Sequence, residues 1–241
     1  MSLGLIDSTG AGSGPRSRVI LPISTGLQML NYIGIDAANS VKNRAVRAST
    51  PSTIVGTPSY AADRATLSAA NYLKHTELAE PLSFTRLFVW RGTVVPSSAT
   101  TNRCAPVGFG SNTKCYVNDV GTFRFATTIG GSIVTSTMNR TATEMQTIRM
   151  MAWVVEAGVG QRLYDLTAAD SVVTANAGSR VDSGLTLITG GAQGTFTAPV
   201  EMSLDVLHNV ALTKAQIDLN AAQLARFLKD VRGITGLVPG V

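Results

Sequence analysis

The sequence predicts an all-β sandwich or barrel that ends in one amphipathic helix, and three observations predict it. Short apolar stretches rich in β-branched and aromatic residues recur along the chain, separated by turn signals roughly every 8 to 12 residues. Thr, Ser, Ala, Val and Gly dominate the middle of the chain, a composition that suits pleated, half-buried surfaces better than a helical bundle. The stretch VEMSLDVLHNVALTKAQIDLNAAQLARFL, residues 200–228, then passes from strand-like alternation to a helical repeat.

Taken in order, residues 19–35 (VILPISTGLQMLNYIGI) are apolar and broken by Pro22 and Gly26. A strand followed by a short helical turn fits them, and their periodicity leaves the choice open. In STPSTIVGTPSY (49–60), Pro51 and Pro58 bracket a short β-branched core. ATLSAANYLKH alternates weakly. SFTRLFVWRGTVV (83–95) holds Phe84, Leu87, Val89 and Trp90 in a β-rich run between Pro81 and Pro96. CAPVGFG and CYVND pair around Ser111 and Asn112. GTFRFATT puts Phe123 and Phe125 on one face and Thr122, Arg124 and Ala126 on the other. GSIVTSTM follows Gly130 and Gly131. QTIRMMAWVVEAG (146–158) has the apolar density of a strand buried on both faces, and QRLYDLTA returns from it through Gly158, Val159 and Gly160. GLTLITGG and VEMSLDVL complete about ten to twelve strands, the number expected of a sandwich or barrel. No internal repeat of fixed period is present.

The closing helix is predicted over 214–232. Thr213 and Gln216 form a capping box, and Leu212 and Ile217 stand where a hydrophobic staple packs. Ile217, Ala221, Leu224, Leu228 and Val231 make one apolar stripe. Gly233 suits the C-cap, with Lys229 and Arg232 in the last turn, where positive charge is favoured.

The chain has 241 residues, enough for one large β domain or one domain with a short appendage. With 44% hydrophobic and 15% charged residues it can build a sizeable core, which excludes disorder over most of its length. Net charge is +5, but the basic residues are scattered apart from Lys42, Arg44 and Arg47. Nucleic-acid binding calls for a denser cluster with interleaved aromatics, so no nucleic-acid partner is expected. Cys104 and Cys115 flank APVGFGSNTK, which reads as a hairpin across which they can face each other; reduced thiols are expected, a disulfide being the alternative. MSLGLIDSTGAGSGPRSR lacks the basic start and apolar run of a signal peptide. No stretch approaches the roughly 20 apolar residues of a membrane span. The expectation is a soluble chain made in the cytoplasm, without membrane insertion.

The order of these elements resembles the concanavalin A-like, laminin-G-like jelly-roll domains. TIVGTPSYAADRATLSAANYLKH is similar to their entry, with Asn71, Tyr72 and Leu73 at an N-Y-[IL] step. FTRLFVWRG is similar to their F-T-[IV]-x-x-W-[VI]-[RK] strand: Phe84, Thr85, Trp90 and Arg91 fit, with one extra residue between Thr85 and Trp90. MMAWVVEAGVGQRLYDLTA resembles their late hairpin, where Leu163, Tyr164 and Asp165 match L-Y-[VI]-[ND]-G without the final Gly. Asn209, Ala211, Leu212, Thr213, Gln216 and Ile217 fit the tail, in which a strand leads into a helix. Together with a Gly-rich N-terminal arm, the tail is similar to domains of bacteriophage virion proteins, tail fibres in particular. The resemblance implies a jelly-roll sandwich over residues 40–234, including helix 214–232, after an arm at 1–18 and an apolar segment at 19–39 offered as an assembly contact, and before a short tail at 235–241.

Some relatives of this fold are glycosidases, which need paired carboxylates. The nearest pair here, Glu201 and Asp205, shares a face of a regular strand. Such residues stand about 13 Å apart along the backbone, against about 5 to 5.5 Å between the carboxyls of a retaining pair. Ser203 also replaces the middle acid of the family's E-x-D-x-E pattern. A solvent-facing polar stripe is the plainer reading, and no catalytic residue is assigned. His75 and His208 lie in no nucleophile or metal motif, and His208 reads as a hydrogen-bonding residue at a strand end. GAGSG at 10–14 follows no strand and is not a phosphate loop. The resemblance allows calcium on Asn118, Asp119 or Asp165, but no ligand spacing marks a site and no cofactor is required. Trp90 and Trp153 are expected in the core. Tyr60, Tyr72, Tyr116 and Tyr164 lie nearer strand ends, and Tyr116, Asn118, Asp119 and Tyr164 are the candidate ligand-binding residues.

These readings lead to a non-catalytic phage virion component, an exposed tail-fibre-like domain. It would bind a host cell-surface polysaccharide, contact other virion proteins and assemble as a homotrimer. The alternatives are a structural capsid-decoration or tail-connecting protein and a glycan-degrading enzyme on the same fold.

Overall fold

A computed structural model describes residues 19–45, 51–95, 103–110, 112–119, 122–181, 183–191 and 196–241; the N-terminal arm lies outside them. The first part of the chain supplies β1 (Leu27–Tyr32), a single-turn helix α1 (Ala37–Ser40), β2 (Thr53–Val55), β3 (Ser59–Tyr60), β4 (Ala65–Leu67), β5 (Tyr72–Ala79) and β6 (Phe84–Gly92). The middle adds β7 (Cys104–Gly108), β8 (Lys114–Asp119), β9 (Thr122–Ile129), β10 (Ser132–Asn139), α2 (Ala142–Gln146) and β11 (Arg149–Glu156). The chain closes with β12 (Gly160–Asp165), β13 (Asp170–Ala175), β14 (Thr186–Thr189), β15 (Val200–His208) and helix α3 (Lys214–Arg232). The predicted strands are present, and the short β2 and β3, the edge strand β13 and the two small helices add to them.

The strands form two antiparallel sheets. One runs β13-β12-β11-β6-β15-β4-β3, with β1 also paired to β15, and the other runs β10-β9-β8-β7-β14-β5-β2. The apolar segment 19–39 therefore enters the first sheet through β1, so the sandwich begins before the expected boundary at residue 40. Leu30, Tyr32 and Ile33 are buried there, which is why that segment is apolar.

The first sheet is covered on both faces, and this explains its continuous apolar strands. Phe84, Phe88 and Trp90 of β6 and Met151, Trp153 and Val155 of β11 point into the gap between the sheets. There Trp90 stacks on Phe123, and Trp153 meets Phe84 and Phe125 edge-on. Leu87 and Val89, with Met150, Ala152 and Val154, point outward beneath α3. The capping box of α3 is formed as expected, and Gly233 ends the helix in a left-handed conformation at φ 68°. Ile217, Ala221, Leu224 and Leu228 are buried against the sheet, joined by Ala225 and Phe227, while Val231 is 40% exposed. The apolar stripe thus stops one turn earlier than its periodicity suggests.

A β-bulge between Met202 and Leu204 reverses the faces of β15. Val200 and Met202 face the inter-sheet core, whereas Leu204 and Val206 face α3. The strand-sharing expectation for Glu201 and Asp205 fails for this reason: they lie on opposite faces, and neither belongs to a solvent-facing stripe. Asp205 is completely buried and receives Nε and Nη2 of Arg86 at 2.9 and 2.5 Å. Arg86 reaches across the gap to the carbonyl oxygens of Gly108 (3.2 Å) and Ile188 (2.8 Å) in the second sheet. The Thr189 hydroxyl donates to Asp205, His75 Nε2 lies 3.2 Å from that hydroxyl, and His75 Nδ1 lies 2.7 Å from Ser52 Oγ. Asn31 donates to Ser52 Oγ at 2.9 Å. With Thr189 already donating to the carboxylate, His75 is assigned the Nε2–H tautomer and accepts from Ser52 through Nδ1.

The thiols of Cys104 and Cys115 are buried and unpaired. Cys104 is opposite Val117 and Cys115 opposite Val107, with an irregularity between, so the two do not face each other in register. Burial pushes the Cys104 thiol up to about 12, well away from a reactive thiolate.

Two predictions follow from this packing. Leu224→Ala removes a side chain with no solvent exposure and should cost roughly 2 to 4 kcal/mol, read as a lowered denaturation midpoint. An unchanged midpoint would mean that α3 is not docked. His75 is held neutral: burial lowers its pKa from 6.5 to about 4, with the field of Asp205 opposing and that of Arg86 assisting. Its contribution is complete above pH 6.5 and is lost as pH falls toward 4, because only the unfolded chain takes up a proton in that window. The loss is about 3 kcal/mol. Burial lowers His208 in the same direction. His75→Gln should therefore flatten the pH dependence of stability between 6.5 and 4 without abolishing it, and an unaltered slope would refute the assignment.

Candidate functional site

The turn between β12 and β13 is built on Asp165. Its carboxylate accepts from the backbone N–H groups of Thr167 (3.2 Å) and Ala168 (3.0 Å), which folds the chain back over itself. Arg149 Nη1 and Arg140 Nε bind the same carboxylate at 2.6 and 2.9 Å, so a fully buried acid is matched by two guanidiniums. Ala169 then takes a left-handed conformation at φ 54° and delivers Asp170 to the start of β13. Asp170 accepts from Arg140 Nη2 (2.8 Å) and from the Ser171 N–H (2.7 Å), and these bonds, the Arg140 one foremost, hold its carboxyl below the usual carboxylate range.

The first turn of α3 stands opposite. Lys214 Nζ bonds both oxygens of Asp218 at 2.6 and 2.7 Å across one helical turn, and lies 5.6 Å from the Tyr164 ring centroid. The C-terminal segment closes the base, where Thr167 Oγ1 donates to the Leu237 carbonyl at 2.8 Å and Val238 and Pro239 line the floor. Between them lies a hollow of about 290 Å³ lined by Asp165, Asp170, Ser171, Lys214 and Asp218 among others. Asp170, Lys214 and Asp218 have half-exposed side chains, so they present hydroxyl-binding donors and acceptors to one space.

The structure separates the four sequence candidates. Tyr164 is buried beside this hollow on the first sheet. Tyr116 lies on β8 in the second sheet, packed against Phe196 with ring centroids 4.9 Å apart, and Lys114 Nζ sits 4.7 Å from the Phe196 ring and 5.5 Å from its own strand neighbour. Asn118 and Asp119 end that same strand, and their side chains lie outside the described residues. Sequence reasoning missed Asp170, Ser171, Lys214 and Asp218. The usable signals were the two acids that begin and end DLTAAD and the i, i+4 pair in the first helical turn.

The arrangement offers little for catalysis among the described residues. Glu201 bonds Arg91 at 2.5 Å and Arg64 at 2.9 Å, and Asp205 is sealed between the sheets. His208 is held by the Thr25 carbonyl at 2.8 Å, as expected of a strand-end residue, and His75 belongs to the buried chain. No three His, Cys, Asp or Glu residues among those described come together as metal ligands. Asp165, considered for calcium, already accepts four hydrogen bonds from protein groups. Thr141 caps α2, its hydroxyl accepting from the Glu144 N–H. Among the described residues, no helix is long and apolar enough to cross a membrane.

No protein-family model and no curated relative matches the chain. Solved structures match its fold. The receptor-binding domain of botulinum neurotoxin C/D mosaic serotype superposes with a TM-score of 0.60 at 9% identity, over 86% of this chain and 53% of its own. The binding domain of botulinum neurotoxin DC, in complex with SialylT, gives 0.59 at 9% identity over 81% and 51%. The binding domain of Paraclostridial Mosquitocidal Protein 1 gives 0.54 at 14% identity over 84% and 52%. The chain thus spans about half the length of these toxin domains, and the likeness establishes a shared all-β sandwich.

One consequence of the site's construction can be measured directly. Asp165→Asn removes the buried carboxylate that Arg149 and Arg140 share, leaves Arg149 only the part-exposed Glu144 as counter-charge, and should cost roughly 3 to 5 kcal/mol. Stability equal to the parent protein would show that the two arginines do not depend on this carboxylate.

Proposed function

We propose that this chain is a non-catalytic carbohydrate-binding domain that attaches the particle or protein carrying it to a cell-surface glycan. The hollow between the Asp165–Asp170 turn and the start of α3 carries this reading. It gathers exposed carboxylates, an ammonium and a hydroxyl at one place, the groups that bind sugar hydroxyls in both donor and acceptor roles. The sandwich it shares with toxin binding domains, one of them captured with SialylT, supports the same class of function. Tyr116, with Phe196 and Lys114, is a second surface of aromatic and polar character on the opposite sheet.

The finer reading is an exposed, tail-fibre-like component of a phage virion, assembled as a homotrimer with other virion proteins and directed at a host polysaccharide. Its support is the similarity of the strand-to-helix tail, with the Gly-rich arm before the sandwich, to such domains.

A glycan array probed with the parent protein and with an Asp170→Ala, Asp218→Ala variant tests the proposal. The parent should bind a defined set of surface polysaccharides, and the variant should bind them at least tenfold more weakly at an unchanged circular dichroism spectrum. Absence of binding to any glycan would sink the reading and favour a purely structural role. Release of reducing ends from a bound polysaccharide would instead favour the enzyme.

A further inference from the structure

Arg44 and Arg232 lie far apart in sequence but meet at one side chain. The Tyr32 ring stacks on Phe227 with centroids 4.5 Å apart, and the guanidinium carbons of Arg44 and Arg232 lie 5.0 and 5.8 Å from its centroid. Tyr32 is 2% exposed, and its buried hydroxyl has no hydrogen-bond partner. An orphaned buried hydroxyl is costly and calls for a partner.

The two guanidiniums are under-matched as well. Arg44 Nη1 donates to the carbonyls of Asn39 and Lys42, both at 3.3 Å, and Arg232 Nη1 to the carbonyl of Ile33 at 2.7 Å. Among the described residues neither forms a salt bridge, and their Nε and Nη2 groups have no protein acceptor. Nearby Arg64 differs in this respect, being paired with Asp63 and Glu201. Burial lowers the pKa of both Arg44 and Arg232, and the charge of Arg44 lowers that of Arg232 further. Gly34, at φ 122°, permits the close approach of Arg232, since a Cβ there would lie 2.4 Å from the Arg64 backbone nitrogen and 2.9 Å from Arg232 Nη1.

We infer that Tyr32, Arg44 and Arg232 form a binding site for a tetrahedral oxyanion, a phosphate or sulfate group. Such a group accepts from both guanidiniums and from the phenol at once, satisfies the orphaned hydroxyl, and neutralises two like charges held against one ring. The adjoining C-terminus of α3 disfavours negative charge, so the site depends on both arginines. Arg44 belongs to the basic run that stands out in the sequence, and its partner comes from the end of the closing helix.

The test is titration of the full chain with inorganic phosphate and with inorganic sulfate, against chloride at matched ionic strength, followed by thermal shift and calorimetry. Saturable binding of phosphate or sulfate is expected. Arg232→Gln should abolish it, and Tyr32→Phe should weaken it about tenfold while leaving the chloride-state fold intact. A parent protein that responds to phosphate and sulfate no more than to chloride overturns the site. So does a Tyr32→Phe variant that gains stability in chloride yet binds phosphate as the parent does, because the hydroxyl is then an unsatisfied packing group. Displacement of phosphate by a sulfated disaccharide would identify a glycan as the source of the group, and phosphate binding without such displacement would identify the free ion.

Discussion

The sandwich turns on the buried pair Arg86–Asp205. Both side chains are wholly excluded from solvent in the gap between two sheets joined mainly by apolar contacts, with Gln161 adding a smaller polar tie to the carbonyls of Phe125 and Val134. Apolar contact is non-directional and does not by itself choose one alignment of the sheets. Arg86 does, because its fork must satisfy Asp205 on its own sheet and the carbonyls of Gly108 and Ile188 on the facing one. A one-residue slip of β14 would strand a charge in a medium where an uncompensated ion is very unfavourable. The chain continues through Thr189, His75, Ser52 and Asn31, so this polar thread also fastens β1 and the segment before β2 to the interior.

That constraint explains the bulge in β15. The strand must offer Val200 and Met202 to the inner core near one end and Leu204 and Val206 to α3 further along, while turning Asp205 inward to meet Arg86. Strict alternation cannot do this with the sequence V-E-M-S-L-D-V-L-H, and an extra residue at Ser203 can. A bulge leaves no local signature in composition. The carboxylate pair was therefore misread as a shared face, although the strand itself was legible.

What could be read from the sequence follows the same line. The helix boundaries and caps were legible because a capping box, a staple and a terminal glycine act over a few neighbouring residues. The density of MMAWVV announced a strand buried twice over. The role of β1 was not legible, since an apolar run broken by Pro22 and Gly26 fits several local structures and only pairing with β15 decides it. The site was half legible for a related reason. Tyr164 and Asp165 lie on the strand that resembles a family hairpin, but the other wall of the hollow comes from α3, whose i, i+4 pair Lys214 and Asp218 is visible in the sequence while the place where that turn packs is not. Tyr116 was placed with Tyr164 by residue type and by position near a strand end, and the topology puts them on different sheets.

The closing helix does more than cover the sheet. Its caps fix both ends, and a rise of about 1.5 Å per residue separates Lys214 from Arg232 by roughly 27 Å. The first turn walls the hollow beside Asp170, and the last residue reaches Tyr32 and Arg44. Screening at physiological ionic strength has a length near 8 Å, so charge at one end is not felt at the other. The helix core of Ile217, Ala221, Leu224 and Leu228 is anchored along the whole span and gives no hinge by which occupancy of one end would move the other. The two regions are therefore independent: a substitution at Arg232 leaves the geometry around Asp218 in place, and one at Asp218 leaves the arginine pair in place.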